Sequence, residues 1–196
     1  MAESAPCVIV LAGPNGAGKT TSARILLAET LNVMTFVNAD IIAQGLAGFD
    51  PGSAAVEASR IMLERLHVLA EQRANFAFET TLAGRSLAVW LRVLRSSGYT
   101  VDLVYFWLDS PDLAVSRVAQ RVKMGGHNIS ETTIRQRYQR SIRNFFRLYR
   151  PIVNLWRVYD NSQHGHSELV ASGDEMGNET ISNEAVWKQM QGEAAL

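Results

Sequence analysis

The chain has little cysteine: Cys7 is the only one in 196 residues, so no disulfide can form within it and stability must come from a packed core. Its place in an apolar segment gives that thiol the role of a small buried side chain, and the lack of disulfides suits a reducing cytoplasm, the expected location. Excess charge is also missing. With 19 Lys and Arg against 19 Asp and Glu, the chain lacks the overall basicity of a nucleic-acid-binding surface. The longest apolar runs are strand-sized and interrupted, and no basic cluster precedes one near the N-terminus, which argues against a membrane span or a signal peptide. There is no internal repeat and no low-complexity stretch. A Leu-Ser-Gly-Gly-Gln-like signature is absent too, and there is no room for a helical subdomain, which excludes a transporter ATPase of the ABC type. What remains, at 47% apolar residues, is one domain spanning residues 1–196 with ample material for a core.

The stretch Gly13-Pro14-Asn15-Gly16-Ala17-Gly18-Lys19-Thr20 fits G-x-x-x-x-G-K-[ST], the P-loop. Its glycines let successive N–H groups face phosphate oxygens, Lys19 brings a positive charge to the β- and γ-phosphates, and the Thr20 hydroxyl can ligate Mg²⁺. Context supports the match. The loop follows the apolar run Cys7–Ala12, a strand buried on both faces, and precedes the helical pattern Thr21–Leu27. The nucleotide contacts expected are Gly13, Pro14, Asn15, Gly16, Ala17, Gly18, Lys19, Thr20 and Thr21, with ATP and Mg²⁺ as cofactors.

Further strands are predicted over Asn32–Ala39, Asn75–Thr80 and Thr100–Leu108, with short ones at Val158–Asp160 and Glu168–Ser172. Helices are predicted over Ser53–Arg73 and Arg85–Ser97, from Ser110 onward, over Ser130–Arg150 and over Asn183–Gln191. Gly45, Gly48, Pro51 and Gly52 mark a loop, and residues 173–179 an acidic turn. Alternation of this kind specifies an α/β fold: a three-layer P-loop NTPase or kinase with a mainly parallel sheet. Ligands of such sheets collect beyond the carboxyl ends of the strands, at Gly13–Thr20, Asn38–Asp40, Glu79–Thr81 and Asp109.

Charge is uneven along the chain. Residues 1–111 carry 8 basic and 10 acidic side chains, residues 112–157 carry 10 and 2, and residues 158–196 carry 1 and 7. The basic block covers two Arg-rich helices joined at Gly125-Gly126-His127, a helical flap over about residues 110–150 that can hinge and grip phosphates from the opposite side. Arg117, Arg121, Arg137 and Arg140 are its candidates for transition-state contact, whereas Arg143, Arg147 and Arg150 fit a solvated helix face. Asp40 is placed to accept a hydroxyl proton or to hold that hydroxyl in line; its alternative use is as an N-cap for Ile41–Gln44. Glu79 is a candidate for Mg²⁺ or for the substrate, and Thr81 and Arg85 are further candidate substrate contacts. His127 fits a hinge or a ligand contact. His164 and His166 lack a third ligand at a recognisable spacing and fit a surface loop.

With Gly13–Thr21, Asn38-Ala39-Asp40, Phe78-Glu79-Thr80-Thr81 and Gly125-Gly126-His127 before an Arg-rich helix, the chain resembles the zeta-toxin-like P-loop kinases over about residues 7–172, especially their short standalone bacterial members. The resemblance implies ATP- and Mg²⁺-dependent phosphorylation of a small-molecule hydroxyl, which for the toxins proper is the sugar 3′-hydroxyl of UDP-N-acetylglucosamine. It implies Lys19 and Thr20 as Walker residues, Asp40 as the catalytic aspartate, Glu79 and Thr81 as the substrate-contacting pair, and Arg121 with Arg137 or Arg140 as phosphate-gripping arginines. More distantly, it implies an antitoxin partner. The toxins usually have Gly where Thr80 stands, and they lack the Gly-Gly-His turn; both departures bear on the acceptor. Two alternatives stay open: a nucleotide-dependent ATPase or switch that binds nucleic acid or protein through its Arg-rich helix, and a polynucleotide 5′-hydroxyl kinase.

Overall fold

A computed structural model describes residues 5–25, 33–48, 52–126 and 128–195. The expectations for Leu26, Leu27, Asn32, Pro51 and His127 fall outside the described residues. Seven strands form one sheet: β1 (Cys7–Ala12), β2 (Phe36–Val37), β3 (Phe76–Thr80), β4 (Thr100–Trp107), β5 (Leu155–Asp160), β6 (Glu168–Asp174) and β7 (Glu179–Ile181), in the order β2-β3-β1-β4-β5-β6-β7. The first five are parallel, and β6 and β7 run antiparallel at the edge. The helices are α1 (Lys19–Ile25), α2 (Ala39–Ala47), α3 (Ala55–Glu71), α4 (Ser86–Ser96), α5 (Pro111–Lys123), α6 (Glu131–Asn144) and α7 (Glu184–Ala195). The α/β P-loop architecture expected from the sequence is therefore the one observed. Among the described residues no helix is long and apolar enough to cross a membrane.

The unbroken apolar spelling of β1 has its cause in its position. It lies between β3 and β4, with Val8 through Ala12 at most 1% exposed, because both faces are covered. Strand order also reverses here: the chain leaves β1 toward β2 and β3 on one side and returns to β4 on the other, which opens a crevice beyond its carboxyl end. Register sets Ala12 level with Thr80 and Tyr105, so the P-loop emerges beside Glu79–Thr81.

Several boundaries differ from those expected. The second strand is two residues long, and helix α2 starts at Ala39, because the Asn38 side-chain oxygen accepts the N–H groups of Asp40 (2.7 Å) and Ile41 (3.2 Å). Gly45 consequently sits inside α2, and the loop begins only at Gly48. The helix expected to run to Arg150 keeps α-geometry to Asn144, widens into a π turn over Phe145–Tyr149 and tightens into a 3₁₀ turn over Arg150–Ile152, where Pro151 has no N–H to continue it. In place of a simple acidic turn, β6 runs on to Asp174, whose carboxylate accepts the N–H groups of Met176 and Asn178, and the chain returns as β7. That strand is exposed throughout, so no apolar alternation announces it.

Arg147 is exposed, as a solvated face requires, whereas Arg150 is half-buried. Arg147 donates to the Ala194 carbonyl of α7 at 3.4 Å. Arg150 pairs with Glu179 and lies 4.6 Å over Trp156, which itself stacks on Trp187 of α7 at 5.5 Å. These arginines fasten the terminal helix and the edge hairpin to the sheet. Ser110 and Ser130 cap α5 and α6 through the N–H groups of Leu113 and Thr133, and the two Arg-rich helices meet at the Gly125–Gly126 turn as expected. The root of this flap is anchored: Ile134, Tyr138, Ser141 and Ile142 of α6 are buried, and the Tyr138 hydroxyl donates to the Leu108 carbonyl at 2.6 Å.

Candidate active site

The crevice at the end of β1 is a cleft of about 660 Å³. Asn15, Gly16, Gly18, Lys19, Thr20 and Thr21 line it from the P-loop, Asn38 and Asp40 from the end of β2, Glu79, Thr80 and Thr81 from the end of β3, and Arg117, Arg121 and Arg137 from the flap. Gly13 is required at the root: with φ at +141°, a Cβ there would stand 2.2 Å from the Phe106 carbonyl oxygen.

Lys19 is 5% exposed, and its ammonium donates to the carbonyls of Gly13 (3.0 Å) and Pro14 (2.9 Å) while lying 3.6 Å from the Glu79 carboxylate. Burial pulls its pKa below the usual lysine range, and the negative charges of Glu79 and Asp40 oppose that shift. The other Glu79 oxygen accepts from the Thr20 hydroxyl at 2.6 Å and from the Asn38 amide at 2.7 Å. Thr20 and Glu79 thus form a pair of hard oxygen donors beside the phosphate cradle. That fits Mg²⁺, which takes one or two protein oxygens and keeps several waters; among the described residues there is no group of three or more His, Cys, Asp or Glu that would form an all-protein cage.

Asp40 does not cap α2. Asn38 has that task, which leaves the Asp40 carboxylate 53% exposed in the cleft, with Oδ2 3.6 Å from Nη1 of Arg121. Arg121 is 37% exposed, and an ion pair of this exposure is worth about 0–1 kcal/mol, weak enough for a phosphate group to take over the guanidinium. Arg117 is held more firmly: its two terminal nitrogens donate to the carbonyls of Asn161 and Ser162, each at 2.8 Å.

Three of the residues singled out from the sequence lie elsewhere. Arg140, three residues beyond Arg137, falls on the exposed side of α6, and Arg85 is exposed at the entrance to α4; neither lines the cleft. Asp109 also stays out of it, its N–H donating to the Ser162 hydroxyl at 2.9 Å. His164 and His166 are exposed, as a surface loop requires.

Sequence reasoning placed Asn38 at the sheet edge without a task and missed Asn144 and Tyr149 as supports of the site. Asn38 joins β2, Thr20 and Glu79. Asn144 supports a strained loop: Leu82, fully buried, has φ of +55°, and its carbonyl accepts the Asn144 amide at 2.7 Å, while the Tyr149 hydroxyl donates to the Gly84 carbonyl at 2.7 Å. Burial raises the Tyr149 phenol pKa to about 12, so it remains a donor. The same loop presents Thr80, Thr81, Ala83 and Gly84 to the cleft. A strand-terminal Asn just before a helix was the available signal for Asn38; the other two are visible only in three dimensions. An Asn144→Ala variant leaves the Leu82 carbonyl buried without a donor, a cost of about 1–3 kcal/mol. The expected result is a Tm lowered by about 2–4 °C for each kcal/mol, measured by calorimetry.

Residues 8–148 match the family model AAA_33, described as an AAA domain. A protein of Haemophilus influenzae (strain ATCC 51907 / DSM 11121 / KW20 / Rd), itself uncharacterized, is 29% identical over 130 residues, which are 66% of this chain and 91% of its own. Among solved structures, the AvrRxo1-ORF1:-ORF2 complex with ATP matches 96% of this chain with a TM-score of 0.78 at 17% identity, and this chain spans only 64% of that one. The PezAT toxin-antitoxin system of Streptococcus pneumoniae matches 99% of this chain and 86% of its own, with a TM-score of 0.64 at 19% identity. At these identities the structural likeness is one of fold.

Proposed function

The chain belongs to the AAA_33 family of AAA domains, and from that premise we propose that it is an ATP- and Mg²⁺-dependent kinase that transfers the γ-phosphoryl group to a hydroxyl of a small molecule. One observation carries the reading: Asp40, released from capping by Asn38, faces Arg121 at 3.6 Å in the same cleft as Lys19 and Thr20. Phosphoryl transfer needs a cradle, an oriented acceptor and positive charge over the moving group, and these residues supply all three. P-loop N–H groups and Lys19 hold the phosphates. Thr20 and Glu79 hold Mg²⁺, which when bound neutralises charge on the phosphate oxygens. Asp40 accepts the acceptor's hydroxyl proton, or holds that hydroxyl in line, and Arg121 with Arg137 neutralises charge on the phosphoryl group in flight. Thr81 and the Thr80 hydroxyl orient the acceptor.

The structural likeness to PezAT, together with the motif resemblance, makes a UDP-N-acetylglucosamine-like nucleotide sugar the first acceptor to try and an antitoxin-like protein the first partner to seek. A nucleic-acid-binding switch would need the basic block as a surface. Much of that block instead already has partners within the chain: Arg117 with backbone carbonyls, Arg135 with the surface carboxylates of Asp112 and Glu131, Arg147 with α7 and Arg150 with Glu179. The test is to incubate the protein with Mg²⁺ and γ-labelled ATP beside UDP-N-acetylglucosamine, free sugars and 5′-hydroxyl oligonucleotides. Label is expected on a small-molecule acceptor. Release of inorganic phosphate alone, at a rate indifferent to every acceptor, would refute the kinase.

A further inference from the structure

Asn161 follows β5 and is 8% exposed. Its side-chain amide donates to the Ala17 carbonyl at 2.8 Å, a hydrogen bond between residues 144 apart that reaches the P-loop from beneath, and its buried Oδ1 has no hydrogen-bond partner among the described residues. The backbone of the same residue donates to the Trp107 carbonyl at 3.0 Å and accepts from Arg117. One short segment therefore fixes the phosphate cradle, the end of β4 and a flap arginine together.

The bond to Ala17 has a geometric consequence. No peptide bond among the described residues is cis, and in a trans peptide the carbonyl and the next residue's N–H point in opposite directions. Holding the Ala17 carbonyl away from the cleft turns the Gly18 N–H into it, and no hydrogen bond from that N–H is found among the described residues. Gly18 has φ of +76°, and a Cβ there would stand 3.2 Å from Asn161 Nδ2, so glycine lets the amide sit close beneath the loop. A carbonyl without this donor is free to rotate the peptide and present an oxygen to the phosphates.

We propose that Asn161 is a positioning residue for the phosphate cradle: its amide locks the Ala17–Gly18 peptide with the N–H directed at the nucleotide. This rests on the proposed function above, ATP binding and transfer to an acceptor together, and adds the residue that aims the donor. The test compares wild type with Asn161→Ala and with Asn161→Ser, whose hydroxyl is too short to reach Ala17. Three readouts are used: affinity for a non-hydrolysable ATP analogue with Mg²⁺, the acceptor KM, and the ¹⁵N-resolved Gly18 amide resonance on titration with that analogue. In wild type the Gly18 amide shifts on binding; if wild type binds no ATP analogue, it is the nucleotide-binding reading that fails. In both variants the expected result is affinity weakened about tenfold, an acceptor KM within twofold of wild type, and a much reduced Gly18 shift. Unchanged affinity, an intact Gly18 shift, or equal losses for nucleotide and acceptor would overturn the proposal. The Ser variant serves the same comparison should the Ala variant fail to fold.

Discussion

Replacing Lys19 with Ala is expected to lower turnover by about 10²–10³-fold, the effect of removing one preorganised charge from a transition state, or about 3–4 kcal/mol. Loss of ATP affinity accompanies it, measured by calorimetric titration with Mg²⁺-ATP. The expectation follows from where the ammonium sits: 5% exposed, bounded by the Gly13 and Pro14 carbonyls and the Glu79 carboxylate, it is a charge held out of water at the mouth of the cradle. Lys19→Arg should not restore activity, because the planar guanidinium cannot occupy a site packed around a single nitrogen. ATP binding and turnover in Lys19→Ala equal to wild type would end the reading of this loop as a phosphate cradle.

Asp40→Asn is expected to reduce kcat by about 10²–10⁴-fold, the range for a positioned proton acceptor, while ATP affinity changes little. The split between the two is diagnostic. Asp40 lies 3.6 Å from Arg121 and is not needed to cap α2, so the substitution removes a charge from the cleft without unwinding the helix. If Asp40 acted only as a surface partner of Arg121, kcat would fall by no more than a few-fold, since such a pair is worth about 0–1 kcal/mol. Single-turnover transfer of label from ATP, with acceptor in excess, separates the two outcomes.

Much of the site was legible in the chain because P-loop chemistry is local. Gly13 through Thr21 are contiguous, and their spelling fixes both the turn and the ligand class. Asp40 and Glu79 were legible for a different reason: each lies at or just past the carboxyl end of a strand, and a parallel sheet sends its strand ends to one edge. The arginines were not sorted by sequence, since Arg137 and Arg140 differ only in which side of α6 they occupy, and that depends on what α6 packs against. Arg150 reads as solvent-facing until Trp156, Trp187 and Glu179 are brought to it by three other elements.

By itself, then, the sequence determined the layered α/β architecture, the nucleotide-binding loop and the two carboxylates beside it, because strand and helix periodicity and the P-loop turn are properties of short segments. Only the tertiary structure decided that the Asn38 amide reaches the Glu79 carboxylate, that Asn144 and Tyr149 hold the strained Leu82 loop, and that Asn161 lies beneath Ala17. Each of these depends on a hydrogen bond whose partners, in the last two cases, are more than sixty residues apart. No local pattern encodes the pairing of one buried amide with one distant carbonyl; sheet order and helix packing do.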